Sequence, residues 1–154
     1  MRILVFSDSH KKVSACENVI NNLIGVDMII HAGDHFSDAQ ELERLFPDIP
    51  IRYVAGNCDF SSAPSELIID ADSKKIFLTH GHNYNVKYEE NYSSLTAKAV
   101  QLGCDCAVFG HTHIPVCDFS GQVPLLNPGS IKYGATFGVI EIENGKLKAA
   151  VCDA

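Results

Sequence analysis

Five times along this chain a short apolar run ends and a side chain able to hold a metal ion follows at once. "ILVF" (3–6) leads into "SDSH" with Asp8 and His10, and "DMIIHAGD" ends on Asp34. "PIRYVAGNCD" reaches Asn57, "KKIFLTHGH" reaches His80, and "CDCAVFGHTH" reaches His111 and His113. Apolar runs this short, bounded by glycine and polar residues, read as buried strands. Ligands in open α/β folds gather outside the carboxyl ends of strands, so the recurrence predicts loops that converge on one place. A lone HxH is more often an exposed polar loop, but five ligand-bearing loops in series are hard to ascribe to chance. Successive side chains of an extended segment alternate faces, which predicts that His111 and His113 point the same way.

Between these runs lie helical signals. Val13, Cys16, Val19, Ile20, Leu23 and Ile24 recur at helical spacing over 13–24. "SDAQELERLF" opens with Ser37 and Gln40 placed as a capping box, which predicts a helix there. "ENYSSLTAKAVQLG" predicts a third helix with Gly103 near its end. "ELIID", "VCDF", "VPLLNPGS" and "GATFGVIEIENGKLKAAV" read as strands, the last broken by a hairpin turn at "ENGK". A βαβαβ half thus precedes a strand-rich half, which predicts an α/β sandwich of mixed sheets with helices outside. No repeat or linker interrupts residues 1–154, and a single domain is expected.

Composition narrows the function classes. A net charge of −7 argues against a protein that coats nucleic acid through phosphate contacts. No apolar run is long enough to cross a bilayer, and "MRILVFSDSH" is too short in apolar residues for a signal peptide, so a cytoplasmic protein is expected. The six cysteines (Cys16, Cys58, Cys104, Cys106, Cys117 and Cys152) are then free thiols rather than a disulfide framework.

Four histidines, two aspartates and one asparagine are too many for one tetrahedral zinc but suit two ions that share a carboxylate. Imidazole and oxygen donors without thiolates favour manganese, with iron, zinc or nickel as alternatives, over calcium or magnesium. Two divalent ions, two aspartates and one hydroxide leave a centre of about one positive charge, which attracts phosphate.

"SDSH" (7–10), "GD" (33–34), "GNCD" (56–59), "THGH" (79–82), "GHTH" (110–113) and "NPGS" (127–130) resemble the ordered motifs of calcineurin-like metallophosphoesterases, most of all the small single-domain prokaryotic phosphodiesterases. The resemblance spans residue 3 to about 142. It implies a four-layer αββα sandwich, two mixed β-sheets flanked by helices, and hydrolysis of small phosphate esters by a hydroxide bridging two divalent ions. One ion would be held by Asp8, His10, Asp34 and His113, the other by Asp34, Asn57, His80 and His111, with Asp34 as the bridge.

Many family members carry histidine where this chain has Cys58, and that histidine is thought to protonate the leaving group. A thiol is a poor acid for an alkoxide, so diesters or good leaving groups are favoured. Asp59 reads as a residue that orients a ligand, and His82 as one that faces the cleft and contacts phosphate or fixes the loop. His31 is expected to be packed or hydrogen-bonded rather than a ligand, His35 to line the pocket or face solvent, and "NPGS" to be a structural turn. Tyr84, Tyr88 and Tyr92 are candidates for a substrate wall or for core packing. A non-catalytic scaffold, as in the related retromer subunit, and a nuclease are the rival readings. A homo-oligomer is compatible with the sequence.

Overall fold

In strand β1 (Arg2–Phe6), Ile3 and Val5 face one way, Leu4 and Phe6 the other, and all are fully buried. A strand buried on both faces needs a covering layer on each side. The computed structural model, which describes residues 1–60 and 63–154, supplies both layers. Strand β2 (Met28–His31) lies parallel to β1, and β3 (Ile51–Tyr53) lies parallel to β2. Helices α1 (Val13–Asn22) and α2 (Phe36–Leu45) make the crossovers. At the other edge, the hairpin β9 (Thr136–Glu143) and β10 (Lys146–Asp153) joins antiparallel to β1, giving the order β10-β9-β1-β2-β3.

The second sheet runs β4-β5-β6-β8-β7. Its strands are β4 (Glu66–Ala71), β5 (Lys74–Thr79), β6 (Cys106–Val108), β7 (Val116–Asp118) and β8 (Leu125–Asn127). Helix α3 (Ser93–Gln101) precedes β6. Both sheets mix parallel and antiparallel pairs.

Alternation along the strands builds the layers. Ile3, Val5 and Ile30 of one sheet meet Ile76, Leu78, Val108 and Leu126 of the other in the central core. Leu4, Phe6 and Ile29 turn outward beneath Cys16, Val19 and Ile20 of α1 and Leu42 of α2. Phe77 and Ala107 turn outward beneath Leu95 and Ala99 of α3. Each fully buried aliphatic or aromatic side chain contributes about 1.5–3 kcal/mol. The result is a four-layer αββα sandwich.

Local boundaries differ from the sequence pattern in three places. Helix α1 stops at Asn22, because Leu23 is extended and Gly25 turns the chain at φ +73°, leaving Ile24 exposed. Helix α2 starts at Phe36, so Ser37 lies inside the helix and is no cap. The Asp59 carboxylate caps it instead, accepting the His35 and Phe36 amides at 2.8 and 3.2 Å. The "GHTH" segment is not extended, since His111 and His113 both have positive φ, at 69° and 60°.

Candidate metal centre

The parallel strands β1 and β2, and β5 with β6, end at the same edge of the sandwich, and their loops meet there. Five of the seven expected ligands, Asp8, His10, Asp34, His111 and His113, have left-handed backbone conformations. Such conformations cost on the order of 1–3 kcal/mol each and persist where surrounding structure holds them. Here the holding is done by hydrogen bonds between loops. The Asp8 amide donates to Gly33 O at 3.0 Å, the Gly110 amide to His80 O at 3.1 Å, and the His111 amide to Asp8 Oδ2 at 3.1 Å. Two glycines permit the close approach: a Cβ at Gly56 would overlap the Asp34 carboxylate, and one at Gly110 would overlap Ser7 Oγ.

One group of donor atoms contains Asp8, His10 and His113. The His113 Nε2 stands 3.0 Å from Asp8 Oδ1, yet their geometry makes no hydrogen bond, and Asp8 Oδ1 has no partner although it is buried. His10 Nε2 is likewise buried without a hydrogen bond, 4.0 Å from Asp8 Oδ1 and 3.8 Å from Asp34 Oδ2. Buried polar atoms are normally satisfied, so two such atoms facing a common point call for a missing partner.

A second group contains Asp8, Asp34 and His80. His80 Nδ1 lies 2.7 Å from Ala32 O, and a carbonyl can only accept, so Nδ1 carries the proton. In the neutral ring Nε2 then has a bare lone pair, 3.1 Å from Asn57 Oδ1 and 3.3 Å from Asp34 Oδ1. Three acceptors meeting head-on repel one another unless a cation or an added proton lies between them. Ligands of one transition-metal ion, each about 2.0–2.2 Å from it, stand about 3 Å apart, as these atoms do. The residues therefore fit divalent metal.

Electrostatics shows the same demand for positive charge between these atoms. Burial disfavours a charged His80, but the Asp34 and Asp8 carboxylates reverse this and raise its pKa. Burial also disfavours the Asp34 anion, yet the neighbouring His80 and a hydrogen bond from the Cys58 amide hold its carboxyl well below the usual range. Burial lowers His10 and His82, and takes His111 down to about 4, so these rings keep free lone pairs at neutral pH.

The other sequence-selected residues divide clearly. His111 and His113 do not share a face: His111 lies 5.0 Å ring to ring from His80, while His113 lies 5.6 Å from His10. His82, at the start of a short 3₁₀ turn (His82–Tyr84), faces His80 at 5.5 Å with a buried, unpaired Nδ1. Cys58 is exposed, and its amide donates to Asp34 Oδ1 at 2.9 Å. Partial burial, with Asp34 beside it, pushes its thiol up to about 11. Asp59 spends both oxygens on loop amides, those of His35, Phe36 and Gly56. His35 packs edge-on to His10 at 5.0 Å. Tyr84 and Tyr92 pack in the outer core with Leu95 and Ala99 of α3, and Tyr88 is exposed. All six cysteines are free.

Behind the cluster, His31 and the "NPGS" turn take the supporting roles expected of them, while Ser9 and Asp38 escaped the sequence reading. His31 is fully buried and lies 2.8 Å from Ser9 Oγ, which donates to Asp38 Oδ2 at 2.6 Å; burial drops the His31 pKa to about 4. Asn127 donates to Gly110 O at 2.9 Å, and Ser130 Oγ donates to Asp8 O at 2.8 Å. The "NPGS" turn thus ties the "GHTH" loop to the "SDSH" loop. A buried serine beside an apolar run was the available signal for Ser9, but its partner lies 29 residues away.

A two-sheet αββα sandwich with an Asp/His cluster at the carboxyl ends of its strands defines the metallophosphoesterase class. Residues 1–145 match the calcineurin-like phosphoesterase superfamily domain. The chain belongs to that superfamily. It is 33% identical over 152 residues to the probable metallophosphoesterase YsnB of Bacillus subtilis, covering 94% of this chain and 86% of that one. It is 27% identical over 157 residues to the phosphodiesterase YfcE of Escherichia coli, covering 85% and 79%. The crystal structure of a predicted phosphoesterase from Streptococcus pneumoniae superposes with a TM-score of 0.81 at 31% identity, over 99% of this chain and 88% of the other. No helix among the described residues is long and apolar enough to cross a membrane.

Proposed function

We propose that this phosphoesterase is a phosphodiesterase working with two divalent ions. Asp8, His10, Asp34 and His113 would hold one, and Asp34, Asn57, His80 and His111 the other. The observation that carries this reading is the pair of buried, unpaired atoms Asp8 Oδ1 and His10 Nε2, together with His80 Nε2 set against the oxygens of Asn57 and Asp34. Bound ions would supply Lewis acidity, bringing water toward ionisation near neutral pH and drawing charge from the phosphate oxygens. The imidazole-rich donor set favours manganese, with iron, zinc or nickel as alternatives.

The chain's own part is positioning. Asp34 turns Oδ1 toward His80 and Oδ2 toward His10, which suits a shared ligand. The Ala32 carbonyl fixes the His80 tautomer so that Nε2 stays free. His82 offers an unpaired Nδ1 on the His80 side, placed to meet a phosphate oxygen. Cys58 remains a neutral thiol at pH 7 and gives a departing alkoxide little proton assistance. Asp59 supports the loop and takes no part in proton transfer, because its oxygens are engaged by amides.

The substrates expected are small phosphate esters. A manganese-reconstituted screen against aryl monoesters, bis-aryl diesters, cyclic nucleotides and oligonucleotides tests the proposal. Diester hydrolysis should exceed monoester hydrolysis, chelation should abolish both, and magnesium should restore less activity than manganese. A preference for alkyl monoesters, or activity that survives verified removal of metal, would contradict it.

A further inference from the structure

The turn after β8 places two further side chains beside the cluster. The Tyr133 amide donates to Ser130 Oγ at 3.1 Å, and Ser130 is itself tied to Asp8 O, so the position of residue 133 is fixed relative to the "SDSH" loop. The Tyr133 ring stacks on His113, 5.4 Å centroid to centroid at 18° between planes, and meets His10 at 5.4 Å. The Lys132 ammonium donates to His10 O at 3.1 Å and lies 5.1 Å from the centre of the Tyr133 ring. Despite these contacts Tyr133 is 64% exposed.

An exposed aromatic residue by itself needs no explanation. This one differs in being held by two imidazoles and an ammonium, both imidazoles belonging to the proposed metal ligands. A ring already fixed loses little side-chain entropy when a second ring packs on it, so its stacking contributes to binding nearly undiminished. We propose that Tyr133 is a specificity-determining residue: its exposed ring surface packs against a planar aromatic group, aryl or nucleobase, carried by the phosphoester. Lys132 holds the ring in place through its contact with it and its tie to His10. The inference rests on the phosphoesterase reading and names the organic half of its substrate.

Calorimetric binding to the manganese-loaded protein tests it without turnover. The probes are inorganic phosphate, methylphosphonate, phenylphosphonate and the non-hydrolysable phosphonate analogue of AMP. Aromatic pairing predicts that phenylphosphonate, the AMP analogue or both bind about three- to tenfold more tightly than methylphosphonate. Which of the two gains more distinguishes an aryl group from a nucleobase. Tyr133→Ala should bring the ratio close to one with metal content unchanged, and Tyr133→Phe should preserve it. A ratio unaffected by Tyr133→Ala overturns the inference. So does a variant that loses metal and weakens all probes alike, since the ring would then serve His113 alone. Failure of the wild-type protein to bind inorganic phosphate would overturn the phosphoesterase reading itself, and this inference with it.

Discussion

Asp34 is the residue on which the cluster turns. Its two oxygens face different groups of donors, and its anionic form is stabilised by His80 and the Cys58 amide against the cost of burial. Residues that merely support metal ligands are typically worth about 10–100-fold in affinity or activity. Asp34→Asn should exceed that range and strip both ions, whereas His10→Ala should spare the ion on the His80 side; metal content per chain alongside turnover checks this. An Asp34→Asn protein that kept both ions and a near-normal rate would show the bridge to be elsewhere, with Asp8, which also lies in both groups, the next choice. Cys58 gives a second prediction. Its thiol is held protonated and weakly acidic, whereas a histidine near pKa 6.5 can donate at neutral pH. General acid help is worth about 10²–10⁴-fold in ideal geometry, and a grafted side chain should deliver less. Cys58→His should therefore raise the ratio of alkyl-ester to aryl-ester turnover at constant metal content. A flat ratio would mean that the leaving group departs on another side.

Among the structural elements, the loops are held more by one another than by their own strands. Gly56 shows how tightly: a side chain there would press on the Asp34 carboxylate and on the Asp34 backbone nitrogen. Overpacking typically costs about 1–3 kcal/mol, and this one displaces a proposed ligand. Gly56→Ala should thus lose metal affinity while the fold, followed by circular dichroism, survives; unchanged metal binding would mean that the loop has slack to spare. The strands were legible because β1, β2, β5 and β6 are short apolar runs that end at polar loops, and the five ligand-bearing loops followed directly. What stayed hidden depended on distant partners. Ser37 and Gln40 made a plausible cap, but Asp59, more than twenty residues on, occupies the α2 N-terminus instead. His111 and His113 were expected on one strand face, yet left-handed turns send them to opposite sides of the cluster. No local pattern announces a φ of +60° at a histidine, because the enforcing bonds come from the "SDSH" and "NPGS" segments.

For the whole molecule, the buried network behind the cluster couples stability to pH. His31 has a folded pKa of about 4 against about 6.5 in a solvated chain. The native state keeps it neutral while the unfolded chain takes up a proton below 6.5. The stabilisation is therefore complete above pH 6.5 and is lost as pH falls to 4, by up to about 3 kcal/mol at about 1.4 kcal/mol per unit. His111 shifts the same way but is more accessible, so its share is smaller. Asp34 acts in a separate window below its ordinary pKa of about 4. Urea unfolding of the metal-free protein at pH 7 and pH 4.5 should show this loss, and His31→Gln should flatten it; equal pH dependence in both proteins would assign the effect to other groups. The sandwich and the family place the chain among phosphoesterases, and the two-ion centre is the proposal to be tested. The most direct test is a titration of metal-free protein with manganese, following bound metal and bis-aryl diester hydrolysis together. Turnover should stay low through the first equivalent, rise with the second and level off at two ions per chain. Full activity with one ion, or with none, would contradict a two-metal phosphodiesterase.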